Sequence, residues 1–393
     1  MLTAREVKPD IWWVGGIDWN ERMFHGYTTE AGITYNAYLI MDEKITLIDT
    51  VKPKFADELI QRISQIVDPS KIDVVITNHV EMDHSGALPR IHEIAPQAQI
   101  YASNPQGVKG IAAHYGIEAI GVKTGDSISI GRRTLTFVQT PMVHWPDNMV
   151  TYCPEDKILF SNDAFGQHFA SSKRFDVEND MSEVMHQARK YYANIVQPYS
   201  MQASKALEVV KGLDLEVIAP SHGVIWTEHI PDILAAYEDF TSGKVEEKAL
   251  IVYDSMWEST AKMAKAICEA FIEEGVPAQY VDLKRRHESD IMTEFLDAKY
   301  ICIGSPTLNS QMLPTVAGFL TYMRGLSPKN DQRVGLAFGS YGWAPLGPKN
   351  VGKVLEECGF QLPVDTLTQN WIPSQEVLDG IQQTVRTMIE NAQ

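Results

Sequence analysis

From residue 248 onward the chain repeats one pattern, a short apolar run followed by a stretch of helical periodicity. KALIVYD (248–254), AQYVDL (278–283), KYICIGS (299–305) and RVGLAFGS (333–340) are the apolar runs, with a weaker one near 363–368. Helical stretches follow them: STAKMAKAICEAFIEEG (259–275), ESDIMTEFLDA, a segment through FLTYMRGL, one around 349–358 and a last one from about 374. The first of these should end at Gly275, because glycine tolerates the left-handed conformation that closes a helix. Near-continuous apolar strands between helices mean a parallel sheet buried on both faces. Five such units predict a doubly wound, five-stranded parallel sheet.

A different grammar precedes residue 245. Short β runs stand between polar loops: ITLIDT (45–50), KIDVVIT (71–77), QIYAS (99–103), RTLTFVQT (133–140), KILFSND (157–163) and LEVIAPSHG (215–223). Helical periodicity follows several of them, as in PKFADELIQRISQIV. That mixture predicts two sheets with helices outside, an αββα sandwich. The expected domains are therefore 1–245 and 246–393, joined by the polar segment FTSGKVEEK (240–248). A chain of 393 residues with 44% hydrophobic content can fill two cores.

The formal charge of −17 repels phosphate backbones and anionic lipid, so no nucleic-acid or membrane partner is expected. There is no long apolar run at the N-terminus, so no signal peptide is expected, and no stretch is long enough to span a bilayer. Cys153, Cys268, Cys302 and Cys358 form no CxxC pair. They read as buried, reduced thiols of a cytoplasmic protein, and they exclude a built-in rubredoxin or cysteine-ligated cluster.

HVEMDH, residues 79–84, is the strongest chemical signal. It follows the strand IDVVIT and precedes a helix start, so His79, Glu81, Asp83 and His84 crowd one strand-to-helix loop. A lone histidine is more often a core or surface residue than a ligand. Four ligand-type side chains in one short loop reverse that expectation. His144 in TPMVHWPDN, Asp163 at the end of KILFSND and His222 in APSHG also follow strands. Strand ends on one sheet edge converge, so these residues can meet in one pocket. A carboxylate can give one oxygen to each of two metals, and Asp163 is the candidate bridge. His92, His114, His168, His186, His229 and His287 sit in no ligand pattern and read as structural or surface residues.

This set resembles the metallo-β-lactamase superfamily, whose usual pattern is HxHxDH followed by a distant His, Asp and His. Here Glu81 stands where the second histidine is usual. A carboxylate in place of imidazole makes the site harder and suits iron better than zinc. That substitution is the mark of the flavodiiron proteins, which the chain resembles over essentially its whole length. The resemblance implies one iron held by His79, Glu81 and His144. A second would be held by Asp83, His84 and His222, with Asp163 bridging. It leaves open whether His84 ligates, since some members swing the equivalent histidine away. It also implies that His25, in FHGYTTE, and Tyr192, in KYYANI, line the substrate pocket as proton donors or hydrogen-bond partners.

The second part is similar to flavodoxins, which implies FMN. Its first strand is followed by DSMWESTAK, where Ser255, Ser259 and Thr260 supply hydroxyls at a helix start suited to a terminal phosphate. Met256, Trp257 and Glu258 complete that loop; Trp257 and Glu258 depart from the usual Thr and Gly, and Glu258 is expected to face solvent. GSPTLNS places Ser305, Pro306, Thr307, Leu308 and Asn309 after the third strand, and FGSYGWAP places Ser340, Tyr341, Gly342 and Trp343 after the fourth. These strand ends flank the switch point where doubly wound sheets bind ligands. Tyr341 and Trp343 could stack on the flavin, and Gly342 permits close approach. No strand is followed by GxGxxG, so NAD is not expected.

The resemblance to flavodiiron proteins implies reduction of O2 to water, of NO to N2O, or both. Electrons would come from a separate donor such as rubredoxin or reduced coenzyme F420. Flavin and irons on separate domains also imply a head-to-tail homodimer or a dimer of dimers. Two rival readings belong to other classes. One is a zinc hydrolase with an accessory flavodoxin-like part, which metal analysis would reveal. The other is an electron carrier with a vestigial first domain, which would hold FMN but no metal.

Overall fold

The structure is a computed structural model, and it describes residues 3–327 and 332–392. It divides into two compact units, Met1–Tyr191 with Met201–Thr241, and Tyr192–Ser200 with Ser242–Gln393.

The first unit contains a seven-stranded sheet. Its strands, in spatial order, are Arg5–Lys8, Ile11–Trp13, Tyr38–Ile40, Thr46–Ile48, Val74–Thr77, Gln99–Ser103 and Ile120–Val122. A five-stranded sheet is ordered Ser127–Ser129, Thr134–Gln139, Met149–Cys153, Ile158–Asn162 and Val217–Pro220. Ile48, Val74 and Ile76 of the larger sheet share one apolar cluster with Phe137, Met149, Ile158, Phe160 and Val217 of the smaller. The core therefore lies between the sheets, as the αββα reading expects. Burying each such side chain stabilises the unit by about 1.5–3 kcal/mol.

Strand direction positions the site. Thr46–Ile48 and Val74–Thr77 run parallel. Thr134–Gln139 and Ile158–Asn162 are each antiparallel to the strand between them, and Val217–Pro220 is parallel to Ile158–Asn162. Their carboxyl ends thus gather along one edge of each sheet. At that edge the backbone turns sharply, with Asp49 at φ 56 and Asn162 at φ 52. Asp49 locks the turn by accepting from Asn78 N at 2.7 Å and Asn78 Nδ2 at 3.0 Å.

The second unit has five parallel strands in the order Ala278–Asp282, Glu246–Tyr253, Ala298–Gly304, Val334–Tyr341 and Leu367–Asn370. Separate apolar clusters cover its two faces, one around Phe295, Phe319 and Leu355, the other around Ile267, Phe271 and Val385. The chain passes outward from Glu246–Tyr253 in both directions, so the doubly wound switch point lies there. The helix Ser259–Glu273 gives way to Gly275 at φ 79. The polar segment 240–248 is only in small part a linker: Ile230–Ser242 is helical and Glu246 already begins a strand. Gly243, at φ 66, stops that helix. The last strand is Leu367–Asn370, a few residues later than the apolar pattern near 363–368 suggests. All four cysteines are free and buried.

Candidate metal centre and cofactor cleft

All seven metal-ligand candidates come together. The strand Val74–Thr77 delivers HVEMDH, Thr134–Gln139 delivers His144, Ile158–Asn162 delivers Asp163 and Val217–Pro220 delivers His222. The ligand atoms of His79, Glu81, His144 and Asp163 lie within 4.8 Å of one another, as do those of Asp83, His84 and His222. Asp163 joins the two groups. Its Oδ2 is 3.7 Å from His79 Nε2 and 3.6 Å from His144 Nε2. Its Oδ1 is 3.0 Å from His84 Nε2 and 3.6 Å from His222 Nε2. His84 is turned inward, with its Nε2 also 3.4 Å from Asp83 Oδ1.

Buried polar atoms ordinarily have hydrogen-bond partners. Here both oxygens of Asp83, both oxygens of Asp163 and both ring nitrogens of His84 are buried with none. Cations bound among them would satisfy these atoms, so the residues fit a two-metal site. Burial alone would raise the carboxyl pKa values. Against that, the nearby charges of His84, His79 and His144 hold Asp163 far below the usual carboxylate range. Glu81 is likewise held ionised against burial by hydrogen bonds from His144, His25 and His79.

Residues around the ligands set their orientation. His79 Nδ1 meets Asp147 Oδ2 at 2.9 Å, and His222 Nδ1 donates to the Thr34 carbonyl at 2.7 Å. His25 Nε2 reaches Glu81 Oε1 at 2.7 Å, beside the first donor group. Tyr192 is different: it groups with the second unit and its hydroxyl bonds Ser200 Oγ at 2.8 Å. Its neighbour Tyr191 is the ring that packs on His222, with centroids 6.0 Å apart. In a helical segment one position turns a side chain by about 100°, so adjacent tyrosines face different surroundings.

His168, read from the sequence as a structural or surface residue, is a packing residue of the pocket. It is wholly buried, 4.8 Å from His222 and 4.9 Å from Tyr191 between ring centroids, with no hydrogen-bond partner on either nitrogen. Burial and the nearby His222 keep its pKa well below the ordinary value, so it is neutral. Asp147 and His168 sit in no ligand spacing, although Asp147 is three residues from His144 and could have been suspected on that ground.

In the second unit a cleft of about 320 Å³ opens at the carboxyl ends of the strands. Of the sequence candidates, Met256, Trp257, Ser259, Pro306, Thr307, Ser340, Tyr341 and Gly342 line it. Thr260 stands behind the wall, its hydroxyl 3.1 Å from that of Ser340. Ser305 spends its hydroxyl on the fold, donating to the Pro306 carbonyl and accepting from Leu313 N. Leu308 and Asn309 form a tight turn closed on Gln311, with Asn309 at φ 50. Ser255 donates its amide to Asp254 Oδ1 at 2.6 Å. Glu258 precedes the helix at φ 64, so the loop has the left-handed bend that a glycine would supply at that position. The first amides of Ser259–Glu273 have no partner within the helix and suit a phosphate. Trp343, 86% exposed, is not part of the cleft wall, whereas Trp371 and Ile372 are. The sequence offered no signal for these two, because they follow a half-polar edge strand. An apolar-lined cleft beside a helix N-terminus fits a ring system carrying one phosphate.

Among the described residues no helix is long and apolar enough to cross a membrane. Residues 33–223 match the ODP family beta lactamase, and residues 251–383 match flavodoxin. The nitric oxide reductase of Moorella thermoacetica is 43% identical, over 95% of this chain and 94% of that protein. The rubredoxin-oxygen oxidoreductase of Megalodesulfovibrio gigas is 41% identical, over 98% of each. The coenzyme F420H(2) oxidase of Methanothermobacter marburgensis is 40% identical, over 96% of each. Among solved structures, rubredoxin oxygen:oxidoreductase from Desulfovibrio gigas superposes with TM-score 0.95 at 39% identity, covering 98% of both chains. The flavodiiron protein from Giardia intestinalis superposes with TM-score 0.94 at 34% identity, covering 98% of this chain and 97% of that one.

Proposed function

The chain belongs to the flavodiiron protein family, and from that premise we propose that it reduces O2 to water, NO to N2O, or both. It is an oxidoreductase whose cofactors are FMN and two non-haem irons. The observation that carries the proposal is Asp163, whose two oxygens divide between two donor sets. We assign His79, Glu81 and His144 to one iron, Asp83, His84 and His222 to the other, and Asp163 to both.

When bound, FMN and two ferrous ions supply four electrons, enough for O2 plus four protons to give two waters. Two NO molecules need two electrons and two protons to give N2O and one water. The residues do the rest. The carboxylates of Glu81, Asp83 and Asp163 favour cations and tolerate the ferric charge. His25 holds a proton at Nε2 beside Glu81, since that hydrogen bond raises its pKa above the ordinary value. It is exposed, and so can exchange that proton with water. Neutral His168, Phe24 and Tyr191 are apolar packing beside His222 that keeps bulk water off that side. Tyr192 remains a candidate proton donor only if its hydroxyl leaves Ser200.

The electron donor is external, of the rubredoxin or F420H2 kind that the relatives' names carry. We place the protein in the cytoplasm, where its thiols stay reduced. The irons and the flavin are assigned to separate units, and domains of this size have radii of gyration of about 15–18 Å, so fast electron transfer needs the two sites brought close. A head-to-tail homodimer, alone or paired into a tetramer, would solve this, with Trp145 beside His144 at the interface. Mixing a metal-free variant (His79→Ala with Asp163→Ala) with an FMN-free variant should then restore turnover after subunit exchange. No recovery despite proven exchange overturns the dimer. The function itself is tested by mixing anaerobically reduced holoenzyme with O2 and with NO separately. Rapid reoxidation by either supports it; inertness to both overturns it.

A further inference from the structure

Three histidines of the metal pocket have different outer partners. His222 Nδ1 donates to the neutral carbonyl of Thr34 at 2.7 Å. His84 Nδ1 has no hydrogen-bond partner. His79 Nδ1 meets a carboxylate, Asp147 Oδ2, at 2.9 Å, and the same oxygen accepts from Val80 N at 2.8 Å. The Asp147–His79 contact is sealed: Asp147 is 3% exposed and His79 fully buried. The indole of Trp145 packs edge-on against His79, with centroids 5.1 Å apart. Ser103 Oγ donates to the Asp147 carbonyl at 2.5 Å, which fixes the residue's backbone.

We infer that Asp147 is a positioning residue for the metal centre. It holds His79 as the Nδ1–H tautomer with the Nε2 lone pair inward, and its charge makes His79 more electron-donating than His222 or His84. The inference rests on the diiron assignment above. Because Asp147 can only accept, the proton of a neutral His79 must sit on Nδ1. Nε2 is then left free, 3.3 Å from Glu81 Oε2 and 3.7 Å from Asp163 Oδ2, where the first iron is assigned. An anionic partner raises the basicity of the imidazole more than a carbonyl does. The loop that contributes His144 as a ligand therefore also aims His79, so one segment, 140–148, governs two of the ligands on the Glu81 side. The Asp83 side has no carboxylate in that role on His84 or His222.

The experiment titrates ferrous iron on the whole chain anaerobically, in competition with a chelator, for wild type, Asp147→Asn and Asp147→Ala. FMN content and melting temperature report folding. Asp147→Ala should weaken one of the two irons by about 10–100-fold, the usual cost of losing such a partner. Asp147→Asn should weaken it less, because the amide oxygen still accepts both N–H groups but brings no charge. It should also raise the midpoint potential of the iron pair, a readout that a merely structural role would not move. If Asp147→Ala does not fold, Asp147→Asn carries the test by affinity and potential. Wild-type affinity and potential in the variants overturn the inference and leave the diiron assignment standing. A wild-type chain that takes up no iron overturns the assignment and the inference together.

Discussion

The two sites of this molecule are built on opposite principles. The metal pocket of the first unit consists of side-chain atoms, all from segments that follow strands and most of them sealed from water. The cleft of the second unit is shaped by loop backbone, helix-start amides and exposed rings; Trp257 is 87% exposed and Trp371 64%. A metal needs particular atoms at particular places, so its site tolerates little. A flavin is recognised by a flat face and an anchored phosphate, which several residue combinations can provide. Substitutions in the pocket should therefore act all-or-none, and those in the cleft by degrees.

The largest effect is expected from Asp163→Asn. It removes the charge shared by both donor groups, so iron should fall from about two atoms per chain toward none. Turnover should vanish while FMN stays bound. Retention of both irons would erase the contrast between the sites. Next comes Glu81→His, which restores the histidine pattern of the hydrolase superfamily. It should shift metal content from iron toward zinc and abolish reductase activity. Metal analysis of protein grown in iron-replete medium checks this. An active, iron-loaded variant would mean Glu81 is not a ligand.

The same contrast explains what could be read in advance. HVEMDH, His144, Asp163 and His222 were visible because ligation restricts residue type, and each lies in the segment that follows an apolar strand. The parallel sheet was visible because both of its faces are buried. Asp147 and Thr34 were not, because an orienting partner needs only to be near in space. Tyr192 was read at the site by resemblance; its hydroxyl bonds Ser200, and the neighbouring Tyr191 is the ring that packs on His222. In the cleft, Trp343 was expected because it follows the fourth strand. Trp371 was missed because its own strand, Leu367–Asn370, alternates between half-buried and exposed positions without an apolar run.

A graded effect is expected from Ser259→Asp, at the start of the helix that faces the phosphate. A carboxylate near a phosphate at this position, which is buried but borders the open cleft, should cost about 1–3 kcal/mol, or roughly 10- to 100-fold in Kd for FMN. Iron content should not change. Titrating apoprotein with FMN by flavin fluorescence measures it. Unaltered affinity would mean that the phosphate lies elsewhere.

The smallest effect belongs to Gly342→Ala, and it tests how forgiving the cleft is. A Cβ at Gly342 would stand 3.1 Å from the edge of the Trp371 indole, tighter than ordinary contact. The glycine is not in the left-handed region, so the backbone itself accepts alanine. What must yield is the indole, and with its other face toward solvent it can tilt by a few tenths of an ångström. The cost should therefore be about 0.5–1 kcal/mol, a two- to fivefold weaker FMN affinity. Trp371→Ala, which removes one wall of the cleft, should cost about 1 kcal/mol or somewhat more. If Gly342→Ala acts by displacing that ring, it should have nothing left to displace once the ring is gone. The double variant should then bind FMN no more weakly than Trp371→Ala alone, a non-additivity that a double-mutant cycle reads directly. Strict additivity would show that Gly342 matters for its own close approach to the flavin. A loss of a hundredfold or more from the single methyl group would show the cleft to be as exacting as the metal pocket, and would break the contrast between them.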